Sequence, residues 1–223
     1  MIIVHHLNNS RSQRILWLLE ELGLPYDIKY YQRDPKTMLA PPELRAIHPL
    51  GKSPVITDGD LVVAESGAIV EYLLEKYGKG RFQPTLLTQS WVDFKYFLHY
   101  AEGSAMPPLL LSLVFTQAPK APMPFIIRPV IKGFAGKVKS SFVNPQLKTH
   151  FEFIEKHLEN NAWFAGEDFT AADIQMSYVV EAGLARGGVS DKPKMKAWLE
   201  KIHTRKAYQD ALKRGGPFSI PGA

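Results

Sequence analysis

The spacing of apolar and polar positions changes period once along the chain, and that change divides it. Ile2-Ile3-Val4-His5-His6-Leu7 is a short apolar run rich in β-branched side chains, the pattern of a buried strand. Asn8-Asn9-Ser10 offers polar cap residues, after which Ile15, Leu16, Leu18, Leu19 and Leu22 recur at helical spacing until Gly23 and Pro25 stop the helix. Tyr26-Asp27-Ile28-Lys29-Tyr30-Tyr31 alternates as a strand with one polar face, and Pro41-Pro42-Glu43-Leu44 opens a short helix. Pro54-Val55-Ile56-Thr57, the Asp58-Gly59-Asp60 turn and Leu61-Val62-Val63-Ala64 predict a hairpin. Glu65-Ser66 begins a further helix whose apolar face holds Ile69, Tyr72, Leu73 and Tyr77. Residues 1–78 are therefore predicted as a β-α-β-α-β-β-α layer.

Residues 79–87 read as a linker, because Gly78-Lys79-Gly80-Arg81-Phe82-Gln83-Pro84 breaks the helical pattern. Beyond it the period is helical, with helices predicted over 91–100, 148–158, 171–185 and 194–212, so residues 88–223 form an all-helical domain. One helix start is written out in full: in Phe169-Thr170-Ala171-Ala172-Asp173-Ile174, Thr170 caps the chain at Asp173, Asp173 reaches back, and Phe169 and Ile174 flank them as a staple.

Composition narrows the chemistry. The 223 residues contain no cysteine. That excludes a disulfide framework, cysteine-ligated zinc, an iron–sulfur cluster and a catalytic thiol of the protein's own, so any reactive sulfur arrives with a substrate. The histidines at 5, 6, 48, 99, 150, 157 and 203 show no metal-ligand spacing on one helix face, and no metal is expected. The amino terminus lacks the pattern of a secretory signal. The longest uncharged stretch, 103–119, is interrupted by Pro107 and Pro108 and falls short of the roughly 20 apolar residues of a membrane span. A cytoplasmic protein without a membrane partner is expected. The net charge of +5 is concentrated in residues 103–151, which hold Lys120, Arg128, Lys132, Lys137, Lys139 and Lys148 and no acidic residue. Such a segment reads as a solvated helix face or as an electropositive rim that draws anionic substrates. Aromatic residues are not interleaved with a dense basic stripe, which argues against nucleic acid.

Polar residues also collect where strands give way to helices: Asn9-Ser10-Arg11-Ser12 after strand one, Lys52-Ser53-Pro54 before the hairpin, and Glu65-Ser66 after it. Ligands of open α/β sheets gather at such ends, and helix amino termini favour anions. In the contexts Ser10-Arg11-Ser12-Gln13-Arg14-Ile15-Leu16-Trp17, His48-Pro49-Leu50-Gly51-Lys52-Ser53-Pro54-Val55-Ile56 and Leu61-Val62-Val63-Ala64-Glu65-Ser66-Gly67-Ala68-Ile69, the chain resembles the cytosolic glutathione transferases. The likeness is greatest to the bacterial and fungal branch with Ser-Arg-Ser or Ser-Arg-Ala at helix one.

The resemblance implies a thioredoxin-like glutathione-binding domain followed by a helical bundle. It implies glutathione as co-substrate and conjugation of its thiolate to a hydrophobic electrophile, with peroxide reduction as a side activity. It also implies a homodimer. Ser53, before a cis Pro54, would pair with the cysteinyl part of glutathione. Glu65 and Ser66 would grip the γ-glutamyl end, Lys52 would lie near the glycyl half, and Arg11 would add positive charge. A hydroxyl or amide at the positive end of helix one would stabilise the thiolate, and Ser10, Asn9 and Ser12 all remain candidates. Asn9 keeps a glutathione-dependent disulfide reductase open as an alternative; a non-catalytic interaction module is the other. Phe97, Tyr100, Met106, Leu110, Phe115 and the proline-rich residues 119–129, which should interrupt a helix, are the expected walls of the electrophile site.

Overall fold

The computed structural model describes residues 1–187 and 191–220. Four strands form one mixed sheet in the order β2-β1-β3-β4. β1 (Ile2–Leu7) runs parallel to β2 (Tyr26–Tyr31) and antiparallel to β3 (Val55–Asp58), which forms a hairpin with β4 (Leu61–Ala64). Val4 pairs with Ile28 on one side and Ile56 on the other, and both Val4 and Ile56 are fully buried. Helices α1 (Ser12–Leu22), α2 (Pro42–Ile47) and α3 (Ser66–Leu73) complete the first layer, in the order the polar pattern predicts. Gly23 closes α1 at φ 66°, a left-handed position that glycine takes without a Cβ clash.

The hairpin is tied to α3 by a buried carboxylate. Asp58 accepts hydrogen bonds from Tyr72 Oη (2.7 Å), Lys76 Nζ (2.7 Å) and Tyr77 Oη (2.5 Å), which hold it well below the usual carboxylate range. Tyr72 and Tyr77, assigned to an apolar helix face by their spacing, thus turn their hydroxyls inward to Asp58.

Everything after the turns of residues 79–88 is helical, apart from short connections. α4 (Gln89–Tyr100) passes through a π-helical turn, Ala101–Ala105, into α5 (Met106–Gln117). Pro107 and Pro108 sit in the first turn of α5, where a missing N–H breaks no helical bond. A short 3-10 turn and residues 121–127 then interrupt the helical run before α6 (Arg128–Val138). α7 (Asn144–Asn160) and α8 (Ala171–Arg186) follow. Thr170 and Asp173 form a complete capping box at the start of α8.

The segment predicted as one helix over 194–212 is two, α9 (Pro193–His203) and α10 (Lys206–Gly215). Arg205 between them is extended, and its guanidinium forms a double hydrogen bond to Glu21 of α1 at 2.6 and 2.9 Å while lying 3.6 Å from the centre of the Phe169 ring. A bidentate ion pair over an aromatic face rewards the break, and helical spacing alone carries no sign of it.

One core runs through both layers. α1 is buried on almost every side, with Ile15, Leu16, Leu18 and Leu19 fully inaccessible and Trp17 nearly so. It packs on β1 and α3 of its own layer and on α8 and α10 of the helical one. The Trp17 ring meets Phe169 at 5.6 Å and Tyr208 edge-on at 5.1 Å.

Candidate functional site

The link between β1 and α1 brings three hydroxyls together. Ser10 Oγ lies 2.7 Å from Ser12 Oγ and 3.2 Å from Ser53 Oγ, and it accepts the Ser12 N–H at 3.3 Å. Ser12 Oγ continues the chain to His6 Nδ1 at 2.9 Å. The Ser53 hydroxyl donates to the His5 carbonyl at 3.2 Å, and the Ser53–Pro54 bond after it is cis. Ser10 and Ser12 are buried, so these contacts replace bonds to water rather than add to them. Burial holds the His6 imidazole below its ordinary pKa. The Gly215 backbone pulls the other way, as a carbonyl accepting a ring N–H does.

Asn9 is engaged elsewhere. It takes the left-handed φ of 49° that asparagine tolerates, and its Oδ1 accepts the N–H of Ser219 at 3.0 Å. This bond brings residues near the end of the chain beside the end of β1. The neighbouring Phe218 packs 6.2 Å from the Tyr178 ring.

Glu65 stands exposed at φ 71°, a region that costs a non-glycine residue about 1–3 kcal/mol and persists only where its surroundings enforce it. Its carbonyl takes the first helical bond of α3, from Ile69 N–H at 2.9 Å. Ser66 opens α3 from a buried position, and its hydroxyl accepts from Arg14 Nη2 at 3.0 Å. Lys52 is exposed, next to Ser53.

Arg14 is a residue that motif reasoning overlooked. It is buried among the apolar positions of α1, bonds the Gln175 carbonyl of α8 at 2.5 Å, and meets Glu102 at 2.5 Å. Arg11 binds the other Glu102 oxygen, also at 2.5 Å. Burial works to raise the Glu102 pKa, but Arg14 and Arg11 outweigh it and keep Glu102 below the usual carboxylate range. Glu102 sits on the π-helical turn between α4 and α5, a kind of distortion that recurs at functional sites. The available signal was its position as the last acidic residue before the acid-free stretch.

The expected walls of the electrophile site divide in the structure. Phe97, Tyr100 and Met106 belong to the core: Phe97 packs on Phe153, His157 and Phe164, and the Tyr100 hydroxyl lies 2.6 Å from His150 Nδ1. Filling space in the bundle is what fixes them there. Leu110 is exposed, as are Phe125, Ile126 and Ile127 of the proline-rich segment, while Phe115 is partly buried. Among the described residues, no cluster of histidine and acidic side chains has the geometry of a metal site, and no helix is long and apolar enough to cross a membrane.

A four-stranded mixed sheet with this helix order, joined to a helical bundle through a buried α1, defines a thioredoxin-like domain fused to an all-α domain. Comparison with known proteins makes the class specific. The family model of the glutathione S-transferase N-terminal domain matches residues 10–76, and that of the C-terminal domain matches residues 127–213. Glutathione S-transferase 3 of Schizosaccharomyces pombe is 37% identical over 96% of this chain and 88% of its own. Glutathione S-transferase 1 of Saccharomyces cerevisiae is 33% identical over 93% and 92%. A crystal structure of a glutathione S-transferase from Actinobacillus pleuropneumoniae superimposes with a TM-score of 0.84 at 37% identity, covering 100% of this chain and 97% of that one. The chain belongs to the glutathione S-transferase family, and it is a transferase that uses glutathione as co-substrate.

Proposed function

We propose that Ser10 is the group that meets the glutathione sulfur, and that the enzyme joins this sulfur to small hydrophobic electrophiles. The observation that carries this reading is the 3.2 Å approach of Ser10 Oγ to Ser53 Oγ. It sets a hydroxyl at the start of α1 beside the residue that, by family resemblance, pairs with the cysteinyl backbone. Free cysteine has a pKa of about 8.5, so most of the thiol is protonated at neutral pH. The hydroxyl chain offers that proton a route. Ser10 takes it while passing its own to Ser12, and Ser12 passes its own to His6 Nδ1. Afterwards Ser10 donates to the thiolate, and the balancing charge rests on the imidazolium. The amino-terminal end of α1 and Arg11 favour the negative sulfur as well.

Glu65 meets the γ-glutamyl ammonium in this scheme. Ser66 and the first N–H groups of α3 meet the adjacent carboxylate, with Arg14 fixing the Ser66 hydroxyl. Lys52 serves the glycyl half. Ser12 acts through Ser10 rather than on sulfur, and Asn9 holds the segment carrying Ser219. Nothing in the geometry favours the disulfide reductase, because the Asn9 amide oxygen is already engaged. Two copies of the chain are expected to form a homodimer in the cytoplasm, as is usual for the family. Conjugation of an aryl halide, followed in the Ser10→Ala variant alongside glutathione affinity by calorimetry, tests the assignment. A fall in turnover with affinity retained supports it; unchanged turnover removes Ser10 from the role.

A further inference from the structure

The basic residues that crowd the sequence between 103 and 151 are not the ones that gather beside the thiol site. That place is taken by arginines distant from one another in sequence. Arg11 follows Ser10 directly, Arg33 lies just beyond β2, and Arg186 ends α8. They meet around Tyr178 of α8. The Arg11 guanidinium lies 5.8 Å from the centre of the Tyr178 ring, and that of Arg14 lies 5.7 Å away. Arg186 hydrogen-bonds the Tyr178 side chain. Arg33 feels both the Tyr178 oxygen and the repulsion of Arg11, and Arg186 feels the same repulsion.

Like charges brought this close destabilise one another unless an anion joins them. Among the ion pairs of the described residues, Glu102 is the carboxylate that meets this group, through Arg11 and Arg14. Arg14 is spent on Glu102, Ser66 and the Gln175 carbonyl, so it contributes no donor outward. Arg33 differs: Nη1 donates to the Met38 carbonyl at 3.0 Å, while its buried Nε has no hydrogen-bond partner. A buried guanidinium N–H without an acceptor is costly, and a carboxylate ligand supplies two acceptor oxygens in the fork geometry arginine matches.

We propose that Arg11, Arg33 and Arg186, assembled around Tyr178, form a subsite for an acidic group on the electrophile, so that the preferred second substrate is a hydrophobic compound carrying a carboxylate. This rests on the reading that the glutathione sulfur lies at Ser10, because the subsite begins one residue beyond it. Tyr178 and Phe218 supply the apolar surface beside the charges, and the arginines orient the acid end away from the sulfur.

The test compares two aryl chlorides matched in ring activation, 1-chloro-2,4-dinitrobenzene and 4-chloro-3,5-dinitrobenzoate. In both, the thiolate forms a C–S bond as the C–Cl bond breaks and chloride leaves, the thiol proton passing to buffer. The wild-type enzyme is expected to show a higher kcat/KM on the benzoate. Arg33→Gln and Arg186→Gln should each lower the benzoate-to-neutral ratio of kcat/KM about tenfold, the loss of one charge-assisted contact. Arg33→Lys, which keeps the charge but not the fork, should fall between. If Arg33→Gln fails to fold, inhibition of the wild type decides: benzoate should compete with the aryl chloride more strongly than benzamide does. A ratio unmoved by all substitutions, or equal inhibition by benzoate and benzamide, overturns the proposal. So does a rise in the KM for glutathione with equal loss on both substrates, which would give the arginines to glutathione's own carboxylate. Failure of the Ser10 assignment reads out separately, as Ser10→Ala leaving turnover of the neutral chloride intact.

Discussion

Glu102 and Arg14 join the two layers of the molecule beside the thiol site, 2.5 Å apart and 88 positions apart in sequence. The pair does more than bridge. Through Arg14 it fixes the Ser66 hydroxyl, and through its second oxygen it fixes Arg11.

Replacing Glu102 by Gln should therefore destabilise the protein strongly. It leaves the buried Arg14 charge without its partner, a change worth about 3–5 kcal/mol when one member of a buried pair is removed. Urea denaturation should show a lower midpoint with an unchanged slope. An unchanged midpoint would mean that Arg14 finds another acceptor.

The same carboxylate sets an acid limit. Its folded-state pKa is depressed, so the folded protein binds fewer protons there than the unfolded chain does. Its stabilisation is complete above the ordinary glutamate pKa and is lost as pH falls through the lower folded value. Thermal melts from pH 6 down to about 3 should show a decline that Glu102→Gln lacks.

The hydroxyl chain predicts a graded series in the thiolate pKa of bound glutathione, read from its ultraviolet absorption. Ser10→Ala should raise that pKa most and lower kcat by about 100-fold, the usual effect of losing one preorganised donor to a reacting anion. Ser12→Ala and His6→Gln should raise it less, because they act through Ser10. A shift in His6→Gln equal to that in Ser10→Ala would make His6 the dominant group.

Glu65→Ala should weaken glutathione binding by about tenfold or more through loss of a charge-assisted contact, with kcat at saturation little changed. Because Glu65 is held at φ 71°, Glu65→Gly removes the same carboxylate while relieving the backbone. The glycine variant should melt at a higher temperature than the alanine one.

The capping box at α8 carries a further pH dependence, opposite in sign to that of Glu102. Burial pushes Asp173 up to about 6, against the Phe164 and Thr170 N–H groups that favour its charge. The native state then holds a proton that the unfolded chain has released, so Asp173 lowers stability as pH rises from about 4 to 6. Thr170→Ala should cost about 1 kcal/mol across that range, measured by chemical denaturation.

The elements of the first layer were legible because each carries a local signature: β-branched runs, Gly23 after α1, and a tight turn between β3 and β4. The capping box was legible for the same reason. Arg14, Glu102 and Tyr178 were not. Arg14 sits within an apolar helix pattern, where a charge reads as a surface position, and its partner lies on another layer. The break at Arg205 was hidden likewise, since its cause is Glu21, 184 positions earlier. The basic run between 103 and 151 shows the converse error. Its charges adjoin in sequence, yet those that converge on Tyr178 come from α1, the turn after β2 and the end of α8.

Because α1 shares its core with both layers, the boundary near Gly78 separates periods in the sequence but not bodies in the fold. Exchanging residues 1–78 with those of a relative would bring a foreign face of α1 against α8 and α10. Trp17 would then have to find new partners for Phe169 and Tyr208, and Glu21 a new guanidinium for Arg205. A chimera that keeps this interface must take residues 1–78 together with α8, Arg205 and α10. The unit of recombination in this enzyme is a packing surface assembled from both ends of the chain.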